Sequence, residues 1–306
     1  MSYLGPDFDP PQPRRGRRRA LTVAASALVP GALLGWLVYA AVGDDGGGSG
    51  EAAVRPSQAS TRPAAPPTDD EKPSPAPSAS DTGALAGKVV VVDPGHNPGN
   101  FRHTAEINRQ VDIGTNRKEC DTTGTSTNAG YPEAEFTLDV ARRMRALLEK
   151  QGATVKFTQD GDRPWGPCVD ERAEIGNRAK ADAVVSIHAD GAGAGQRGFH
   201  VILPGKVAKG DANTGPIVAP SRALGERVAG AFVRVTGTAP STYVGDGTGL
   251  VTRQDLGGLN LSTVPKVFIE CGNMRDSKDA ALLTSGAWRQ KAAQGISEGI
   301  VSFLRG

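Results

Sequence analysis

Three short β-branched runs constrain this chain most: KVVVVD at 88–93, AVVSIH at 183–188 and KVFIE at 266–270. Each is mainly apolar and closes on a polar residue, the pattern of a strand covered on both faces. Similar runs at 153–158 and 198–203 supply two more strand candidates. Amphipathic stretches separate them. At 132–151, Phe136, Val140, Met144, Leu147 and Leu148 recur on one helical face, with Pro132 as a start signal and Gly152 as a stop. Further helices are expected at 169–178, 221–235 and 278–304. The alternation predicts an α/β single domain over residues 86–306, a twisted, mostly parallel or mixed sheet flanked by helices. Strand order is not legible at this level.

The first 85 residues have a different composition. Residues 20–42 carry no charge and follow a cluster of arginines, Arg14, Arg15, Arg17, Arg18 and Arg19. About 20 apolar residues cross a bilayer, so 20–42 reads as a transmembrane anchor with residues 1–19 cytoplasmic and the rest of the chain extracytoplasmic. A cleaved signal peptide, leaving a secreted protein, is the competing reading. Residues 43–85 are rich in Pro, Gly and Ser and nearly devoid of large apolar side chains, which predicts a disordered linker. As a flexible coil such a tether spans roughly 35 Å. The net charge of +2 implies no broad basic face, so nucleic acid is not an expected partner.

Only four histidines occur in the sequence. His96 follows the first buried strand and His188 ends the third. Both therefore fall where strands leave an α/β sheet, the usual edge for a site. Two carboxylates accompany them. Glu133 opens the 132–151 helix, where the helix dipole favours an acid in any case. Glu270 ends KVFIE, and an acid at the end of a buried strand has to be paired, neutral or catalytic. Two imidazoles and one carboxylate form a recognised zinc set, and another carboxylate can act as general base. Glu135 competes with Glu133 for the ligand role; on a helix the two point about 200° apart, so both cannot face one ion.

The segments VVVDPGH, YPEAEFTLDVARRMRALLEKQGATVKFTQ, VDERAEIGNRAKADAVVSIHADG, RGFHVIL and VPKVFIECGNM occur in the order found in one enzyme family. From Gly87 to Leu304 the chain resembles the zinc-dependent N-acetylmuramoyl-L-alanine amidases of the Amidase_3 type. Mycobacterial and other actinobacterial members without a wall-binding module are the nearest in pattern. The resemblance implies a phosphorylase/hydrolase-like fold and one zinc ion (Zn2+) on His96, Glu133 and His188, with Glu270 as the catalytic glutamate. His103 and His200 match no family ligand. The implied reaction is hydrolysis of the amide between the lactyl group of muramic acid and L-alanine in peptidoglycan, by a monomer. Arg253 is a candidate contact for substrate carboxylates. A catalytically idle wall-binding protein and a zinc peptidase acting on stem peptides are the alternatives.

Three cysteines leave one unpaired. In an oxidising compartment the expected disulfide is Cys120–Cys168, as in related actinobacterial amidases, and closing that loop stabilises by ~4 kcal/mol in the chain-entropy model. Cys271 would stay a free thiol, facing away from Glu270 because neighbours on a strand alternate. Residues 97–131 form a long loop, expected to border the substrate groove under the disulfide's restraint.

Overall fold

The structure, a computed structural model, describes residues 83–306. The expected anchor at 20–42 and nearly all of the linker lie outside the described residues. None of the described helices is long and apolar enough to cross a membrane.

Six strands build the central sheet: β1 (Val89–Pro94), β2 (Thr154–Phe157), β3 (Ala183–Asp190), β4 (His200–Pro204), β5 (Leu250–Arg253) and β6 (Lys266–Asn273). Their order is β2-β1-β3-β6-β4-β5. The first four are mutually parallel, β4 runs antiparallel to β6, and β5 lies parallel to β4. The sheet is thus mixed. The short edge strand β5 was not expected: LVTR is half polar, because an edge strand at the rim buries little.

Five helices matter for the site: α1 (Glu133–Lys150), α2 (Val169–Arg178), α3 (Gly215–Thr236), α4 (Ser277–Leu283) and α5 (Gly286–Arg305). One face of the sheet carries α1, α3 and α5. There Val90, Val92, Val185, Ile187, Val267 and Ile269 meet Phe136, Met144, Val228, Phe232, Ile296 and Ile300, all fully buried. The opposite face carries α2, with Ile175 packed against Val91 and Val184. Residues alternate along each strand, so the polar members Asp93, Ser186 and Glu270 share the α2 face while their neighbours fill the larger core.

Three boundaries differ from expectation. Helix α3 begins six residues before 221, because Pro216 starts it and Pro220, within the early turns, removes only one backbone bond. The expected 278–304 helix is two helices: Ser285 caps the second through its Oγ, which accepts from the Trp288 N–H at 3.4 Å. Leu85, assigned to the linker by composition, is fully buried, and its N–H donates to the Gln151 carbonyl at 2.8 Å.

Candidate metal centre

β1 turns sharply at its end. His96 has φ +62°, a left-handed conformation that a non-glycine residue holds only at a cost, and such outliers gather at functional sites. The preceding Gly95 is required for a steric reason: a Cβ there would stand 2.3 Å from the His188 ring. Gly124 plays the same part across the site, since its Cβ would fall 2.7 Å from His96 and 2.8 Å from the Glu133 carboxylate. Backbone from two loops therefore closes tightly around three side chains.

Those three are His96, Glu133 and His188, whose nearest donor atoms all lie within 4.8 Å of one another. Glu133 Oε1 is 3.2 Å from His96 Nε2 and 3.0 Å from His188 Nδ1. The histidine rings meet edge to face with centroids 5.0 Å apart. Glu133 opens α1, and its carboxylate accepts from the N–H groups of Thr125 (2.9 Å) and Ala189 (3.1 Å). Burial opposes its ionisation, but His96 and His188 hold the carboxyl well below the usual range. His96 shifts the opposite way: burial pulls its pKa down, but Glu133 and Asp121 raise it well above the usual value.

Hydrogen bonds behind the rings decide which nitrogens are free. The Ser186 hydroxyl donates to Asp93 Oδ2 at 2.8 Å, so toward His188 it can only accept, from Nε2–H at 3.2 Å. His188 Nδ1 then presents its lone pair to the cluster. On the other side, His96 Nδ1 lies 3.1 Å from the Thr122 carbonyl, which only accepts, so Nδ1 keeps a proton and Nε2 is the nitrogen that a metal ion would take in place of a proton. Two free imidazole nitrogens and a carboxylate aimed at one point fit a zinc ion.

A buried charge network supports this. Asp93 is fully buried and bonds Thr158 (2.7 Å), Arg172 (2.7 Å), Ser186 and Lys266 (3.2 Å). Arg172, on α2, spans both histidines' supports: Nη1 reaches Asp93, and Nη2 reaches Asp121 Oδ2 (3.0 Å) and the His96 carbonyl (3.0 Å). Two acids and two bases balance. Arg172 and Lys266 hold the Asp93 carboxyl far below its usual range against its burial, and Arg172 and His96 do the same for Asp121. Cys120 and Cys168 are joined by a disulfide. They flank Asp121 and the start of α2, so the bond ties together the segments bearing Asp121 and Arg172.

Glu270 stands on β6, level with His188 on β3 and His200 on β4. Its Oε2 is buried without a hydrogen-bond partner among the described residues. Burial, then Asp190 and Glu133, push its carboxyl well above the carboxylate range, against the pull of His96 and Arg253. Burial pushes His200 down to about 4. Its ring packs edge-on to Tyr243, whose hydroxyl donates to Asp190 at 2.8 Å. Cys271 faces the opposite, apolar side, where burial raises its thiol. Glu135, the rival ligand, lines an outer groove instead. His103 lies away from the cluster against Glu106 at 3.3 Å. Arg253 engages Asp255 through two bonds of 2.8 and 2.6 Å.

The sequence reading missed the support set: Asp93, Ser186, Arg172, Asp121 and Lys266. Its signal was present, since Asp93 and Ser186 are polar residues inside strands otherwise too apolar to tolerate them. The mixed α/β sheet carries at its edge two imidazoles and a carboxylate that could together hold a metal ion, a set found in metal-dependent hydrolases.

Residues 90–302 match the family described as N-acetylmuramoyl-L-alanine amidase. The chain is 41% identical over 221 residues to the N-acetylmuramoyl-L-alanine amidase Rv3717 of Mycobacterium tuberculosis, covering 72% of this chain and 88% of that protein. Among solved structures, Ami1 from Mycobacterium smegmatis is 42% identical with a TM-score of 0.64, over 72% of this chain and 98% of that one. The apo form of Ami1 from Mycobacterium abscessus is 42% identical with a TM-score of 0.65, covering 72% and 100%. This chain belongs to the N-acetylmuramoyl-L-alanine amidase family.

Proposed function

We propose that the protein is a zinc-dependent N-acetylmuramoyl-L-alanine amidase. It hydrolyses the amide between the lactyl group of N-acetylmuramic acid and L-alanine in peptidoglycan, in cell-wall remodelling or turnover. The observation that carries this reading is the convergence of His96 Nε2, His188 Nδ1 and Glu133 beside an unpartnered Glu270 carboxyl. His96, Glu133 and His188 would hold the zinc. When bound, zinc supplies Lewis-acid chemistry, lowering the pKa of water and polarising a carbonyl.

Glu270 is the group placed to move the proton. Its ionised form, which a cation held by His96, Glu133 and His188 would favour against the burial that raises its pKa, takes one from the attacking water and returns it to the departing alanine nitrogen. A half-buried carboxyl with no competing hydrogen bond among the described residues keeps its oxygens available for that exchange. Ser186 and Thr122 hold the imidazoles in single tautomers, so no reorganisation is needed when substrate arrives. Arg253, which Glu270 senses electrostatically, is the proposed contact for a substrate carboxylate, with Asp255 holding its fork. The protein acts as a monomer.

Placement follows from the N-terminus. The uncharged 20–42 segment anchors the chain, the arginines stay cytoplasmic, and the linker lets the catalytic domain reach the wall. Carbonate-resistant fractionation with membranes is the expected behaviour; release on deleting residues 1–42 checks it.

Digestion of purified peptidoglycan tests the activity. Free L-alanine amino termini that disappear with chelator and return with zinc are expected. New termini inside the stem peptide would indicate the peptidase, and no cleavage would indicate an idle wall-binding protein.

A further inference from the structure

A groove of about 550 Å³ opens beside the metal centre, sharing Gly124 with it and lined also by Asn97, Phe101, Ser126, Glu135 and Arg275. Its most unusual wall is Phe101, 62% exposed; the other large apolar side chain exposed among the described residues is Val233, at 39%. Arg102 covers one face of the Phe101 ring, its guanidinium 4.8 Å from the centroid. That contact steadies a ring most of whose surface stays exposed. What makes the exposure informative is its place: an aromatic face on the wall of a groove is a flat apolar platform that a ligand can cover.

The charges lining the groove narrow the ligand class. Glu135 and Arg275 contribute one negative and one positive charge, and neither is ion-paired among the described residues. Arg275 spends one N–H on the Ser126 carbonyl at 3.1 Å and keeps other donors free. The lining is therefore neutral overall, with donors, acceptors and one aromatic plate. An anionic stem peptide would gain from Arg275 and lose to Glu135. A neutral pyranose uses all three: its axial C–H face lies on the ring, its hydroxyls reach the carboxylate, and its acetamide oxygen reaches the guanidinium.

We propose that this groove is a subsite for a neutral N-acetylated sugar of the glycan strand, with Phe101 as its stacking platform. The assignment deepens the amidase reading and rests on it for the source of the sugar. It places the glycan on the Phe101 side of the metal centre and leaves the Arg253 side for the peptide.

Titrating the full chain with the tetramer of N-acetylglucosamine, followed by NMR, tests the subsite without any cleavable amide. Saturable binding to the wild type is expected. Phe101→Ala should weaken it about five- to tenfold, the range of aromatic stacking. Phe101→Leu should lose as much, whereas Phe101→Trp should keep or improve it. An exposed ring contributes little to folding, so the thermal midpoints should coincide. Absence of saturable binding, or Leu substituting fully for Phe, would overturn the proposal, as would perturbation of the groove by a sugar-free stem peptide instead. Sugar binding without amide cleavage by the zinc-loaded wild type would sink the amidase reading and leave the subsite standing. Cleavage without sugar binding would do the reverse.

Discussion

Replacing Arg172 with Met should damage stability and metal binding together. The side chain is 6% exposed and supplies five hydrogen bonds of 3.0 Å or less, to Asp93, Pro94, His96, Asp121 and Pro167. Methionine fills similar volume, so packing changes little; what is lost is the cation between two carboxylates that are 0% and 5% exposed. Removing one partner of a buried ion pair costs about 3–5 kcal/mol, because the charge left behind stays desolvated. For a domain of this size that corresponds to a fall in Tm of about 6–20 °C. Asp121 and Asp93 also fix the supports behind His96 and His188, so zinc affinity should fall by about 10–100-fold. Arg172→Lys should recover only part of either loss, since an ammonium cannot fork between both acids as a guanidinium does. Calorimetric melting of the metal-free protein and zinc competition against a chromophoric chelator measure the two effects separately. A drop in Tm under about 2 °C, or unchanged zinc affinity in a destabilised variant, would refute the claim that one guanidinium organises both histidines.

Ser186→Ala frees His188 to adopt either tautomer; zinc affinity should fall about tenfold with little change in fold, and 15N shifts of the imidazole report the tautomer directly. Glu270→Gln should lower kcat by about 10²–10⁴-fold while zinc still binds stoichiometrically, as metal titration with parallel turnover assays would show. Asp93 and Asp121 ionise more readily folded than unfolded, so their contribution is complete above the unfolded carboxylate pKa of about 3.9 and is lost as pH falls through their lower folded values. Melting of the metal-free protein across acid pH should show that loss, and Asp121→Asn should flatten it. Reducing the Cys120–Cys168 disulfide, or replacing both cysteines with Ala, should cost about 2–5 kcal/mol and weaken zinc binding through Asp121; zinc affinity unmoved by reduction would separate the disulfide from the metal centre.

The candidate-site residues were legible in the sequence because each lies at the end of an element that local pattern identifies. His96 follows an apolar run, His188 and Glu270 close two others, and Glu133 sits behind a proline at a helix start. Apolar period and composition need no partner strand to be read, so the α/β class followed from them too. Choosing Glu133 over Glu135 required the family motif, since helical spacing says only that they diverge.

Strand order and direction, the break at Ser285 and the burial of Leu85 emerged only in the folded chain, because they depend on contacts between distant segments. The same holds for the network that tunes the site. Asp93, Asp121, Ser186, Arg172 and Lys266 are separated by up to 173 residues, and no local pattern pairs them. Their polarity inside apolar strands announces that partners must exist. Which partners, and therefore which nitrogen of each histidine is left free, is decided by the register of β1, β3 and β6 and by the docking of α2 across their ends.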